Sequence, residues 1–215
     1  LAGLVRQQIQ LPVQIVPNGY MGHPDSGEQP KRRLVLVVAR LFPRKGVQYF
    51  LEAIRDLDSD WEFVVAGDGP YMASLQALAR TVRPRVRFTG FIDKPSLQSL
   101  YAEARVLVFP SVQENFPMVL LEGMDAGCAV ITSQADGCAE VVGDAGVVVP
   151  PANPAALGKA MRELLADPAR CDLLAARSRA RAALFRWPRI AELYLQVFND
   201  AMRWRTGGAH AGRIG

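Results

Sequence analysis

Cysteine is scarce in this chain, and the three present, Cys128, Cys138 and Cys171, are odd in number with no metal-ligand spacing. That excludes a disulfide framework and a zinc site as the organising feature, and it fits a reducing setting. The two histidines, His23 and His210, both fall in expected flanking segments, so a histidine general base inside the main domain is not expected. No apolar run approaches the roughly 20 residues of a spanning helix, and the N-terminal stretch lacks a basic-then-apolar signal pattern. The phosphate loop G-x-x-x-x-G-K-[ST] is absent, which removes the P-loop kinases and NTPases. No nucleic-acid motif accompanies the basic residues, and aromatics are not interleaved with them as a single-strand platform requires. Repeats and low-complexity tracts are absent too.

What is present is a chain of 215 residues, half of them apolar, enough for one domain with a full core plus attached segments. It begins at Leu1 without methionine, which suggests a piece of something longer. The formal charge of +4 is modest, and much of the excess sits at Arg177, Arg179, Arg181, Arg186, Arg189, Arg203 and Arg205. Solvated helix faces account for such arginines. The sharper alternative is attraction to an anionic membrane surface or an acidic substrate.

Residues 1–30 read as a linker and turn region, with one β-like run at Val13-Gln14-Ile15-Val16. From residue 31 the pattern becomes regular. Leu34 to Ala39 is a continuous apolar run of the kind used by sheets buried on both faces. Strands are expected near 61–66, 86–88, 106–109, 129–132 and 146–149. Helices are expected between the earlier ones and then over 154–183, closing a domain at 185. A C-terminal helix follows over 186–205, then a flexible tail over 206–215. Alternating strands and helices specify an α/β doubly wound, Rossmann-like parallel sheet of about six strands with helices on both faces. In the order 3-2-1-4-5-6 the third strand is an edge, and Arg83, Arg85 and Arg87 there discourage edge-to-edge pairing.

Such a sheet binds ligands at the carboxyl ends of its strands. Arg40 and Lys45 follow the first strand, where two cations suit a diphosphate; exposed surface cations are the alternative. Glu114 falls in the loop after the fourth strand, and Pro117 suits the first turn of the helix that carries Glu122. Glu122 lies among Leu120, Leu121 and Met124, where a carboxylate without a partner is costly, so a ligand rich in hydroxyls is a reasonable partner. Gly67-Asp68-Gly69-Pro70 has Met72 at the third glycine position of G-x-G-x-x-G and follows the second strand, so it reads as a tight turn. Gly90 and Phe91 could offer backbone groups and an aromatic edge to a base, or simply be turn glycine and core phenylalanine.

Several segments, in order, resemble the C-terminal half of glycosyltransferase family 4, retaining enzymes of GT-B fold that use nucleotide-diphosphate sugars. They are Val16-Pro17-Asn18-Gly19, Val38-Ala39-Arg40-Leu41 with Lys45-Gly46, Val65 to Pro70, Phe88-Thr89-Gly90-Phe91, Phe109-Pro110-Ser111, Glu114 to Glu122, and Glu140 to Asp144 with Val149-Pro150-Pro151. The resemblance covers roughly Val13 to Met202. It implies that Arg40 and Lys45 hold the donor diphosphate and neutralise it as it leaves. It casts Glu114 as the first acid of the E-x7-E motif, facing the sugar hydroxyls and belonging with Arg40 and Lys45 to the catalytic set. Glu122 is then the second acid, accepting hydrogen bonds from the ribose hydroxyls. Asn115, Phe116, Pro117, Met118 and Val119 become donor contacts around a helix N-terminus, and Gly90 and Phe91 are kept with them as candidate donor contacts from the reading of the third-strand loop. Pro117 stands where many members have glycine, Ala139 where proline is usual before Glu140, and Cys128-Ala129 where a small residue and proline are frequent. Those departures leave sugar selectivity open.

The implied protein is the donor-binding domain of a retaining glycosyltransferase, using a UDP- or GDP-sugar, with no metal and no cofactor. Its partners are a glycan or lipid-linked acceptor and the N-terminal domain of the same protein. Nucleic acid is not among them. The expected place is the cytoplasm, with peripheral contact to the inner face of the plasma membrane as an alternative. The fragment alone is expected to be inactive. A GT-B sugar-nucleotide epimerase and a non-catalytic nucleotide-sugar-binding module stay open as rivals; an NAD-dependent dehydrogenase is weaker because the first-strand glycine fingerprint is missing.

Overall fold

The computed structural model describes residues 13–22 and 30–208, with side chains to 204. His23, His210 and most of the expected tail lie outside the described residues. The chain divides into two compact units, Gly22–Ala183 and Leu1–Met21 with Leu184–Gly215.

The larger unit is a parallel sheet of six strands in the order β3-β2-β1-β4-β5-β6. The strands are β1 (Arg32–Val38), β2 (Glu62–Ala66), β3 (Val86–Phe88), β4 (Ala104–Phe109), β5 (Ala129–Ser133) and β6 (Gly146–Val149). Between and after them run α1 (Val47–Ala53), α2 (Met72–Ala79), α3 (Lys94–Glu103), α4 (Met118–Asp125), α5 (Cys138–Val142), α6 (Pro154–Leu165) and α7 (Pro168–Ala183), with a short 3-10 turn over Pro43–Lys45. Leu34 to Val38 and Val106 to Phe109 are buried throughout, because the central strands β1 and β4 are covered by helices on both faces. One face gathers Val35, Val37, Phe63, Val65, Val106 and Val108 against Phe50, Leu75, Leu157 and Met161. On β4, Gly123 of α4 brings the helix so near that a Cβ there would collide with Leu107.

Local chemistry sets the helix starts. Asp93 accepts from the Ser96 amide at 3.0 Å ahead of α3, and Asn153 accepts from the Ala156 amide at 2.9 Å ahead of α6. Asp167 and Pro168 separate α6 from α7, with Asp167 accepting from the Arg170 amide at 2.9 Å. Lys31 donates to the carbonyls of Tyr101 at 3.0 Å and Ala126 at 2.7 Å, at the C-terminal ends of α3 and α4. Arg181 does the same for α5, reaching Val141 O at 3.1 Å and Glu140 O at 2.6 Å. Cations at helix C-termini meet carbonyls that have no partner within the helix and complement the dipole.

β3 is the edge strand, as expected, with Arg87 exposed and Arg83 paired to Asp58 at 3.0 Å. In the smaller unit, Tyr20 bridges to Arg186, and α8 (Trp187–Gly208) runs three residues beyond the expected 205. The β-like run Val13–Val16 belongs to no strand among the described residues. An extended segment becomes a strand only when a neighbour pairs with its backbone, and no strand is registered to this one.

Candidate functional site

The order β3-β2-β1-β4-β5-β6 reverses between β1 and β4, and the carboxyl end of the sheet at that reversal is where such folds have their ligand crevice. Main chain packs against main chain there. Gly46, at φ +71, turns under the Pro110 carbonyl so closely that a Cβ would collide with it. The Val112 amide donates to Arg44 O at 2.8 Å, and the buried Ser111 hydroxyl reaches the same carbonyl at 3.2 Å. Ser133, at the end of β5, donates to Ser111 O. On the other side the Leu41 amide donates to Asp68 O at 2.9 Å, and Gly67 and Gly69 lie so near Ala39 O and Leu41 O that neither tolerates a Cβ. The Gly67-Asp68-Gly69-Pro70 segment is therefore a turn laid against the β1 loop. Gly67 also bridges to Gly90, which ties the β3 loop to the row.

Across the crevice, Lys45 from the β1 side forms an ion pair with Glu114 from the β4 side, with side-chain exposures of only 16% and 11%. Ser111 donates to the same Glu114 oxygen, Oε1, at 2.9 Å. The Lys45 ammonium also lies 5.8 Å from the Phe109 ring centroid. Two residues sixty-nine positions apart are thus held together by loops that hydrogen-bond to each other.

Arg40 is not drawn into that pair. It is exposed, with its guanidinium 5.3 Å from the Phe42 ring centroid. Glu122 is half-buried and already accepts from the Tyr101 hydroxyl at 2.9 Å. Burial of Glu122 therefore does not by itself require a ligand, since the protein supplies a donor. Pro117 is the N-cap residue of α4, one position before the first helical turn, and no side chain caps that end. Asn115 and Phe116 are held from behind by Gly137, at φ +78, where a Cβ would strike Asn115 O. Met118 and Val119 open α4, Gly90 is left-handed with open space where a Cβ would be, and Phe91 is 84% exposed rather than core. Ser111 and Tyr101 were not among the expected site residues. Ser111 had a signal, since it ends the buried strand run three residues before Glu114; Tyr101 had none in the local pattern.

Burial raises the Cys138 thiol to about 11, and Cys128 and Cys171 are raised for the same reason. These are packed, inert thiols. Asp56, Asp58 and Asp60 have Asp-x-Asp spacing, but they precede β2, at the end of the sheet away from the crevice. Asp58 and Asp60 are paired there with Arg83 and Arg33. Among the described residues no group of three His, Cys, Asp or Glu is placed to hold a metal ion, and no helix is long and apolar enough to cross a membrane.

Comparison with known proteins places this geometry in a family. The profile of Glycosyl transferases group 1 matches residues 32–167, which span the sheet and its crevice. An alpha-D-kanosaminyltransferase from Streptomyces kanamyceticus is 35% identical over 144 residues, covering 64% of this chain and 37% of the relative. Among solved structures, the C-terminal domain of a group 1 glycosyl transferase (LpcC) from Francisella tularensis superposes with TM-score 0.67 at 25% identity, covering 76% of this chain and 94% of that one. Anabaena HepE in complex with UDP-glucose has the same fold, with TM-score 0.70 at 22% identity over 78% of this chain and 48% of that one. The chain spans well under half the length of the curated relatives it matches. On the match across residues 32–167, the chain belongs to the Glycosyl transferases group 1 family.

Proposed function

We propose that this chain is the donor-binding, C-terminal half of a retaining glycosyltransferase of GT-B fold, transferring a sugar from a nucleoside-diphosphate sugar to an acceptor hydroxyl. The observation that carries the reading is the Lys45–Glu114 pair, held with little exposure at the switch point between β1 and β4. A lysine there meets the diphosphate, a carboxylate meets sugar hydroxyls, and the uncapped N-terminus of α4 offers amides to either. The UDP-glucose held by a protein of the same fold, HepE, agrees with that choice of ligand.

In this mechanism Lys45 and Arg40 stabilise charge on the departing diphosphate, so no metal is needed for that step. Glu114 orients the sugar, Glu122 accepts from the ribose hydroxyls beside Tyr101, and Phe91 lies against the base. Acceptor and donor are held on one face, and the leaving phosphate helps to deprotonate the nucleophile, which gives retention. The acceptor, a glycan or lipid-linked sugar, is presented by an N-terminal domain of the same protein at the inner face of the membrane. Positioning of that kind supplies roughly 7–11 kcal/mol of the barrier, so this chain binds donor without transferring sugar.

The test is a calorimetric titration of the chain with uridine, guanosine, adenosine and thymidine diphosphates and their sugars. At least one pair is expected to bind, and Arg40→Ala and Lys45→Ala each to weaken it by about 1.5–3 kcal/mol. Binding by none, or binding indifferent to both substitutions, would sink the donor-site reading.

A further inference from the structure

A site for a nucleoside-diphosphate sugar, the reading on which this inference rests, faces a charge problem after each turnover. While the sugar caps it, the terminal phosphate is a diester with one negative charge. Once uncapped it is a monoester whose second ionisation, with a pKa of about 6, adds most of another charge at neutral pH. A lone lysine beside it would hold the spent product more tightly than the substrate.

Lys45 is not a lone lysine. Its ammonium is paired with Glu114, both side chains are little exposed, and the fully buried Ser111 hydroxyl fixes the same carboxylate at 2.9 Å. The backbone bond from Val112 to Arg44 O joins the two loops, so the carboxylate stays where the ammonium is. We infer that Glu114 determines the discrimination between capped and free diphosphate: its charge offsets part of the extra attraction that Lys45 exerts on an uncapped terminal phosphate, so that Lys45 and Arg40 still stabilise the departing charge while the spent product is not held more tightly than the substrate. Glu114 is then a specificity-determining residue as well as a sugar contact, and Ser111 is the residue that positions it. Unit charges about 4 Å apart in water change a binding constant by about fivefold, which is the size of effect required.

The test compares uridine diphosphate with its β-methyl ester, which is capped but carries no sugar hydroxyls, by calorimetry at pH 8; guanosine diphosphate and its methyl ester are run in parallel. In the unmodified chain the free and capped forms are expected to bind within about threefold of each other. Glu114→Gln shifts that ratio about fivefold toward the free diphosphate, Lys45→Met shifts it the other way, and the double variant returns it close to the starting value. An unchanged ratio in Glu114→Gln would overturn the inference while leaving the donor site standing. So would a preference of the unmodified chain for free diphosphate of more than about tenfold, a measurement that needs no variant to fold. If no nucleotide binds in any form, the donor reading itself fails and this one falls with it.

Discussion

Lys45→Met removes a charge from the crevice and keeps the length of the side-chain stem beside Phe109. The carboxylate left behind belongs to a Glu114 that is 11% exposed. Breaking a fully buried pair by deleting one partner costs about 3–5 kcal/mol. Two features lower the figure here: the crevice admits water, and Ser111 still donates to Oε1, a bond worth about 1 kcal/mol. The expected loss is therefore about 2 kcal/mol, or about 4–8 °C in melting temperature for a chain of this size. Glu114→Gln costs less, because an amide oxygen still accepts from Lys45 and from Ser111. The double variant costs less than the sum of the two singles, since neither charge is then stranded. Urea unfolding followed by far-UV circular dichroism gives all four midpoints. If Lys45→Met unfolds at the midpoint of the unmodified chain with an unchanged slope, the pair carries no structural weight and the reasoning from its burial is wrong.

Three further outcomes can be checked quickly. Tyr101→Phe removes the donor to Glu122 from a 1% exposed position and is expected to cost about 1–2 kcal/mol, and to alter affinity for a ribose nucleotide more than for its 2′-deoxy analogue; equal changes for both would detach Glu122 from the ribose. The three buried thiols are expected to resist alkylation at pH 8.5 until the chain unfolds, because burial raises all of them, Cys138 to about 11. The same shifts favour the neutral thiols in the fold, so stability is lost as the pH rises above about 9, where unfolded thiols ionise and folded ones do not; rapid labelling of the native chain would contradict both statements.

The sheet was legible because its central strands are buried on both faces. Leu34 to Ala39 and Val106 to Phe109 read as apolar runs with no competing helical period. The short helix Cys138–Val142 was not legible, since five residues are too few to establish a period and its start depends on Gly137 in a left-handed conformation. Val13–Val16 has strand composition, but composition cannot supply a pairing neighbour. At the crevice, residue types and loop positions could be read for Arg40, Lys45, Glu114 and Glu122. Their pairing could not: Lys45 meets Glu114 only because Gly46 passes under Pro110, and Glu122 meets Tyr101 only because Gly123 lets α4 settle on β4. Such contacts depend on tertiary approach, which a local pattern does not encode.

The helix ends change what the chain's net charge means. Lys31 and Arg181 direct their donors into the carbonyls that close α3, α4 and α5, and the Arg179 guanidinium lies over Gly127 just past α4. Lys31 and Arg181, both half-buried, face the negative pole of a peptide dipole, and the exposed Arg179 lies beside another, so part of each field is cancelled close to the protein. A formal +4 therefore overstates the pull this domain exerts on a distant polyanion. Two of the C-terminal arginines, Arg179 and Arg181, act in this way as counter-charge for helix ends, and at the crevice the exposed Arg40 is the cation that an approaching phosphate meets.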